Sequence, residues 1–156
     1  MPGTLAQGRA APGAARALLT VNASAQAIGF VGLGHMGGNM AERFLAAGYE
    51  VSGEEHTREH AQHLVDEGLA WRDTPREVAE AADVVFTSLP DDGALQQVAD
   101  GPDGLLSGLA AGKVWVDVST VSPRVSRELA KRAGERGAAM LDAPVSGSVP
   151  QVSRER

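Results

Sequence analysis

The sequence predicts a single α/β domain built on a doubly wound parallel sheet. From residue 27 onward, short apolar segments alternate with helical patterns, and the apolar segments are rich in valine. Strands that are apolar on both faces are typical of a parallel sheet covered by helices on two sides. Right-handed crossovers between such strands then produce the doubly wound arrangement. A length of 156 residues fits one domain of this kind.

The predicted elements follow one another as strand and helix. Apolar segments predict strands at 27–31, 49–52, 70–71, 83–88, 113–118 and 138–141. Helical patterns predict helices at 36–47, 57–67, 75–81, 91–99 and 123–136. Two of these helices open with a capping residue followed by proline, at Thr74-Pro75 and Ser122-Pro123. Because proline suits the first helical position, this order indicates a helix start.

The first 26 residues differ in composition from the rest of the chain. They are rich in Ala, Gly and Pro, and they contain Arg9 and Arg16 but no acidic residue. We expect a disordered tail here, with an organelle transit peptide as the alternative. The domain itself is expected to span residues 27–151, followed by a short tail at 152–156.

The composition excludes several classes of protein. The chain has no cysteine, which excludes disulfide scaffolds, thiol nucleophiles and cysteine-ligated metal sites. A formal net charge of −6 argues against nucleic-acid binding. No apolar run approaches the about 18 residues that a membrane span requires. We therefore expect a cytoplasmic protein with neither nucleic acid nor membrane as its partner.

A glycine-rich motif follows the first predicted strand. Residues 28–37 read I-G-F-V-G-L-G-H-M-G, a buried strand that leads into G-x-G-x-x-G and a helix. Gly32 permits the tight turn, Gly34 lets the backbone approach a pyrophosphate, and Gly37 lets the helix pack against the strand. The helix N-terminus carries about half a positive charge toward that anion. This context predicts a Rossmann-type dinucleotide site rather than a merely structural turn.

The end of the second strand bears on the choice between NAD and NADP. Glu55 follows the glycine motif by about 20 residues, where a carboxylate accepts hydrogen bonds from the adenosine ribose and repels a 2′-phosphate. Nearby His56 and Arg58 would instead favour NADP. The acidic residue favours NAD, and a solvated, charged helix start is the alternative interpretation.

The same stretch also contains a metal-binding pattern. His56, Glu59 and His60 form H-x-x-E-H, the zinc signature of inverted metalloproteases. Both histidines would have to lie on one helix face with a distant third ligand. His56 falls at the start of the predicted helix, so we expect exposed histidines and no metal site.

Three further motifs end later strands and give the chain a family resemblance. They are D-V-V-F-T-S-L-P-D at 83–91, D-V-S-T-V-S-P at 117–123 and D-A-P-V-S-G-S at 142–148. With G-L-G-H-M-G-G-N-M-A at 32–41, they resemble the β-hydroxyacid dehydrogenases. That family includes 3-hydroxyisobutyrate dehydrogenase, tartronate semialdehyde reductase and the cofactor domain of 6-phosphogluconate dehydrogenase. The resemblance extends over residues 27–151.

The resemblance implies how NAD or NADP is held. The glycine turn would bind the pyrophosphate, mostly through its backbone, with Gly32, Leu33, Gly34, His35, Met36 and Gly37. Leu89 and Pro90 would line the nicotinamide side of the site. The family often has Asn-Arg-Thr after the second strand, where this chain has Glu55-His56-Thr57. This departure weakens the expectation of the family's frequent NADP preference.

The resemblance also implies the reaction, a hydride transfer between nicotinamide C4 and a carbon of a small 3-hydroxyacid. Ser119 or Thr120 would contact the nicotinamide end and the substrate, and Ser146 and Gly147 would bind the substrate. The family's usual Ser-Gly-Gly ends here in Ser148, which adds a side chain close to the substrate.

The family's catalytic lysine has no counterpart here. That lysine opens an all-helical second domain, through which the family forms homo-oligomers, whereas Lys113 and Lys131 fall at a strand start and within a helix. We therefore assign no catalytic residue and expect a truncated chain that binds cofactor without useful turnover. The alternatives are a non-catalytic dinucleotide-binding module and an imine- or glyoxylate-reducing relative.

Overall fold

Six parallel strands form one sheet in the computed structural model, which describes residues 26–145. The strands are β1 (Ala27–Val31), β2 (Glu50–Glu54), β3 (Ala70–Trp71), β4 (Val84–Thr87), β5 (Val114–Asp117) and β6 (Ala139–Asp142). Their order across the sheet is β3-β2-β1-β4-β5-β6. This is the order of a Rossmann-type doubly wound sheet, so the predicted fold class is confirmed. The predicted tails, residues 1–26 and 152–156, lie outside the described residues apart from Gln26.

Helices cover the sheet on both faces. They are α1 (His35–Ala46), a 3₁₀ helix (Arg58–Ala61), α2 (Gln62–Asp66), α3 (Pro75–Ala81), α4 (Asp92–Ala99), α5 (Leu105–Gly108) and α6 (Pro123–Glu135). One apolar core unites α1 and α2 with Ile28 and Phe30 of β1. A second unites α3 to α6 with Val31 of the same strand. Within residues 26–145, no helix is both long enough and apolar enough to cross a membrane.

The prediction of one continuous helix at 57–67 is wrong. The chain makes a 3₁₀ helix and then the short α2, and Ala61 between them has φ −103° and ψ 3°, outside the α-helical region. The hydroxyl of Thr57 also caps no N–H group. Helix α5 was not predicted, because a helix of four residues is too short to show the helical repeat of apolar positions.

Two predicted strands, 83–88 and 113–118, are each one residue shorter at both ends, and the side chains just before them make long-range contacts. The carboxylate of Asp83 accepts a hydrogen bond from the N–H of Ala27 at 3.0 Å. The ammonium group of Lys113 donates to the carbonyl oxygens of Ala79, Glu80 and Ala82 at 2.6, 3.0 and 2.7 Å. A cation at these carbonyls satisfies the C-terminal end of α3, although partial burial lowers the lysine pKa.

The predicted helix starts at Pro75 and Pro123 are present. The hydroxyl of Thr74 accepts a hydrogen bond from the N–H of Glu77 at 3.2 Å, and that of Ser122 accepts one from the N–H of Val125 at 3.4 Å. Each cap satisfies an N–H group that has no partner inside its helix. Ser122 thereby places the start of α6 beside the carboxyl edge of the sheet.

Candidate dinucleotide-binding site

The carboxyl edge of the sheet between β1 and β4 is the switch point of the strand order, where this topology forms its ligand-binding crevice. These strands are neighbours, with Val31 aligned with Thr87, but the helices that follow them pack on opposite faces. The loops after β1 and β4 therefore diverge, which is the geometry at which open α/β sheets bind ligands. The glycine turn forms one side of this crevice, and the loops after β4 and β5 form the other.

Two glycines of the turn are required by close backbone packing. Gly32 has a φ of +90°, and a Cβ there would lie 2.3 Å from the carbonyl oxygen of Ser88. A Cβ on Gly37 would lie 2.1 Å from the carbonyl oxygen of Gly32. Neither distance is possible between real atoms, so the turn, the start of α1 and the loop after β4 fit together only without side chains. Both glycines are therefore required by the packing of the turn itself.

The middle glycine has a different role. Gly34 is the N-cap of α1 with an ordinary φ of −67°, and a Cβ there would meet nothing within 4 Å. Folding of residues 26–145 therefore does not require glycine at this position. The N-cap residue Gly34 has no side chain that could cap α1, and the first turn of the helix contains no acidic residue. Open space before the N–H groups of the first helical turn suits an anionic group such as a pyrophosphate.

Glu55 connects the end of β2 to the glycine turn. Its Oε2 accepts a hydrogen bond from the N–H of Leu33 at 2.7 Å, and its Oε1 accepts one from the N–H of His56 at 2.9 Å. The carboxylate thus lies beside the turn, where the sequence places a ligand for the adenosine ribose. The guanidinium of Arg58 lies over the ring of Trp71, 5.2 Å from its centroid, in a cation–π contact.

A second carboxyl group, that of Glu54, lies one residue before Glu55 in the sequence. Glu54 is half-buried at the end of β2, and its pKa is raised from 4.5 to about 6, chiefly by burial. The negative charge of Glu55 contributes to this rise, and His56 opposes it. The side of the crevice formed by the end of β2 therefore carries negative charge at neutral pH.

Two hydrogen bonds join the loop after β5 to the loop after β4 and to the start of α4. The N–H of Leu89 donates to the hydroxyl oxygen of Ser119 at 2.9 Å, and the N–H of Ser122 donates to the carboxylate of Asp92 at 2.7 Å. Hydrogen bonds from Ser122 hold the pKa of Asp92 below its usual range. The structure thus brings the predicted Leu89 and Ser119 into contact.

Among the other predicted residues of this side, Pro90 and Thr120 are exposed in the same two loops. Ser119, in contrast, is only 4% exposed. The predicted substrate residues Ser146 and Gly147 lie outside the described residues.

A buried polar network that sequence reasoning did not select lies beneath these loops. Trp115 Nε1 donates to the hydroxyl of Thr87 at 2.9 Å, and that hydroxyl donates to Asp117 Oδ1 at 2.7 Å. The N–H of Ser119 donates to the same oxygen at 3.2 Å. Burial raises the pKa of Asp117, and Asp142 on β6 adds to this effect. The sequence pattern that could have revealed the network is strand alternation, since residues two apart share a face and Asp117 therefore lies on the same buried face as Trp115.

The histidines do not have the geometry of the zinc motif. His56 precedes the 3₁₀ helix, and His60 lies inside it, so the two do not share a regular α-helix. Within the part of the chain that the structure describes, no group of three or more His, Asp or Glu side chains could hold a metal ion.

Comparison with known proteins is consistent with this geometry. Residues 27–155 match the family described as the NAD binding domain of 6-phosphogluconate dehydrogenase. Over 120 residues, the chain is 42% identical to 2-(hydroxymethyl)glutarate dehydrogenase of Eubacterium barkeri. That match covers 77% of this chain and 40% of the other protein.

Solved structures give the same result. Mycobacterium tuberculosis 3-hydroxyisobutyrate dehydrogenase with L-serine has a TM-score of 0.76 and 32% identity, over 83% of this chain and 43% of that one. A Streptomyces aurantiacus imine reductase has a TM-score of 0.71 and 34% identity, over 80% and 43%. The chain thus spans less than half the length of each of these relatives.

Proposed function

The chain belongs to the family of NAD-binding domains of the 6-phosphogluconate dehydrogenase type, and we propose that it holds the cofactor of a 3-hydroxyacid oxidoreductase. The observation that carries this proposal is the glycine turn, where Gly34 leaves open space before the uncapped start of α1. When bound there, the nicotinamide cofactor supplies or accepts a hydride at C4. The substrate in this proposal is a small hydroxyacid.

Each part of the site has a proposed task. Backbone N–H groups at the start of α1, from Gly34 to Gly37, hold the pyrophosphate through hydrogen bonds and the helix dipole, whereas those of Gly32 and Leu33 already donate to Glu54 and Glu55. Glu55 accepts hydrogen bonds from the adenosine ribose. On the other side, Leu89 and Pro90 line the nicotinamide, and Ser119 and Thr120 lie toward the substrate. Ser146 and Gly147 are proposed as further substrate contacts.

We propose that the chain prefers NAD(H) to NADP(H). The carboxylate of Glu55 is held at the glycine turn by Leu33, so a 2′-phosphate there would meet a fixed negative charge. Arg58, which could have neutralised such a phosphate, is engaged with Trp71. Both observations favour the dinucleotide that lacks the extra phosphate.

Calorimetric titration of the full chain with NADH and NADPH tests this preference. We expect NADH to bind about tenfold more tightly, a difference of about 1.4 kcal/mol, and Glu55→Arg to reverse the order. Glu59→Arg is the matched control, because it makes the same charge change at an exposed position of the 3₁₀ helix. Tighter binding of NADPH by the unmodified chain would refute the role of Glu55.

A second candidate is the reduction of imines, which the likeness to an imine reductase favours. Titrating the chain with 3-hydroxyisobutyrate, glycerate, 6-phosphogluconate and a cyclic imine, each with saturating cofactor, distinguishes the two substrate classes. A homo-oligomer that forms through the family's helical second domain and a cytoplasmic location also belong to the proposal, through the family resemblance. Light scattering and cell fractionation test them.

A further inference from the structure

A continuous series of hydrogen bonds runs from the core to the loop that we place beside the nicotinamide. It begins at Trp115, passes through the hydroxyl of Thr87 and reaches the carboxyl group of Asp117. From there it continues through the backbone of Ser119, whose hydroxyl accepts the N–H of Leu89. Asp117 is therefore the junction between the end of β4, the end of β5 and both loops.

The carboxyl group at this junction lies in an unfavourable environment. Asp117 is fully buried, and its Oδ2 has no hydrogen-bond partner among the residues that the structure describes. Neither Lys nor Arg forms an ion pair with it within that same part of the chain. Burial of an unpaired carboxyl group lowers stability, so simple contribution to folding does not account for this residue.

Asp117 provides one oxygen atom that accepts hydrogen bonds from two donors. Its Oδ1 receives the hydroxyl of Thr87 at 2.7 Å and the N–H of Ser119 at 3.2 Å. An apolar residue there would leave both donors without this acceptor and would free the backbone of Ser119 to shift. Because the hydroxyl of Ser119 holds the N–H of Leu89, such a shift would move the loop after β4 as well.

We propose that Asp117 is a positioning residue for the nicotinamide end of the cofactor, acting through Ser119 on the backbone of Leu89. The inference rests on the proposed function. The adenosine end lies at Glu55, beyond β1, and shares no hydrogen bond with this network. Loss of the network therefore affects one end of the dinucleotide and leaves the other end unchanged.

Binding of NADH and of ADP-ribose, which lacks the nicotinamide, separates the two ends. Calorimetry on the full chain is expected to show that Asp117→Ala loses about tenfold in NADH affinity and stays within about twofold for ADP-ribose. Asp117→Asn should retain NADH affinity, because the amide oxygen still accepts both hydrogen bonds. Val78→Ala, a buried substitution in α3 outside both loops, controls for loss of stability and should leave the ratio of the two affinities unchanged.

Ser119→Ala provides a second route to the same result. It removes the acceptor of the Leu89 N–H and should also reduce NADH affinity selectively, even if Asp117→Ala fails to fold. Combined with Asp117→Ala, it should add little further loss, since both substitutions break one series of contacts. Equal loss of both ligands, or no loss at all, in Asp117→Ala and Ser119→Ala would overturn the inference.

The unmodified chain distinguishes this inference from the proposed function. If it binds neither ligand, the proposed function fails, and the inference fails with it. If it binds ADP-ribose and NADH with equal affinity, dinucleotide binding stands, but the positioning role of Asp117 is refuted.

Discussion

The two sides of the crevice are shaped by different parts of the chain. On the β1 side, backbone packs against backbone, and Gly32 and Gly37 are required because no Cβ fits. On the β4–β5 side, buried side chains set the positions of the loops through hydrogen bonds among Thr87, Asp117 and Ser119. One side thus depends on the absence of atoms and the other on the presence of specific polar groups.

This difference predicts two kinds of failure. Added atoms on the β1 side produce steric overlap, which the backbone relieves only by moving. On the β4–β5 side, removal of one polar group leaves its buried partners without hydrogen bonds, at about 1–3 kcal/mol for each group. Substitutions on either side test this comparison.

The largest effect is expected for Gly32→Ala. The new Cβ would lie 2.3 Å from the Ser88 carbonyl oxygen, and alanine is strained at a φ of +90°. We expect the free energy of unfolding to fall by about 3–5 kcal/mol, measured by chemical denaturation.

Gly34→Ala is the matched control in the same turn. With nothing within 4 Å of its Cβ, it should lower the free energy of unfolding by no more than about 1 kcal/mol, the cost of alanine at an N-cap. Its methyl group should nevertheless lower NADH affinity about tenfold or more, because it occupies the space proposed for the pyrophosphate. Similar destabilisation by both substitutions would contradict the steric account.

A smaller effect is expected for Thr87→Val on the other side. The substitution keeps the shape but leaves the Trp115 indole N–H without its acceptor and Asp117 without its strongest donor. We expect a loss of about 2–3 kcal/mol in the free energy of unfolding, again by chemical denaturation. Thr87→Ser retains the hydroxyl and should lose only about 1 kcal/mol, for the missing methyl group. Equal losses in the two variants would show that packing, not hydrogen bonding, dominates here.

The fold could be predicted well because its signals are local. β1, β3 and α3 have the predicted boundaries, since apolar runs, glycines and the Thr74 cap mark them directly. The stretch at 57–67 could not be predicted in form. Whether it becomes α or 3₁₀ depends on how Ala61 and Leu64 pack against the sheet, which is a tertiary effect.

The two sides of the candidate site could be predicted from the sequence to different extents. The glycine turn and Glu55 follow a spacing that backbone geometry imposes, so the sequence reveals them. The network around Asp117 depends on the register between β4 and β5, which aligns Thr87 with Asp117 across 30 residues of chain. Register between distant strands is set by the assembled sheet, and no local motif encodes it.

The smallest predicted effect concerns the ionisable group on the β1 side. Glu54 has a pKa of about 6 in the folded chain, against its ordinary value of 4.5. Between these values the folded state binds more protons than the unfolded state, so the free energy of unfolding falls as pH rises through this window. Glu54→Gln removes the buried charge and should therefore stabilise the chain above pH 6.

The gain from Glu54→Gln should be about 1 kcal/mol at pH 8, less than the full shift implies, because Glu54 is still partly in contact with solvent. It should disappear below about pH 4.5, where both states are protonated. Chemical denaturation at pH 4.5 and pH 8 measures it, and the exposed substitution Glu59→Gln is the control. The raised pKa of Asp117 also makes the free energy of unfolding fall as pH rises. This contribution is the same in the unmodified chain and in Glu54→Gln, so it cancels when the two are compared. If the unmodified chain and Glu54→Gln differ in free energy of unfolding by the same amount at pH 4.5 and pH 8, the pH dependence arises from Asp117 and not from Glu54.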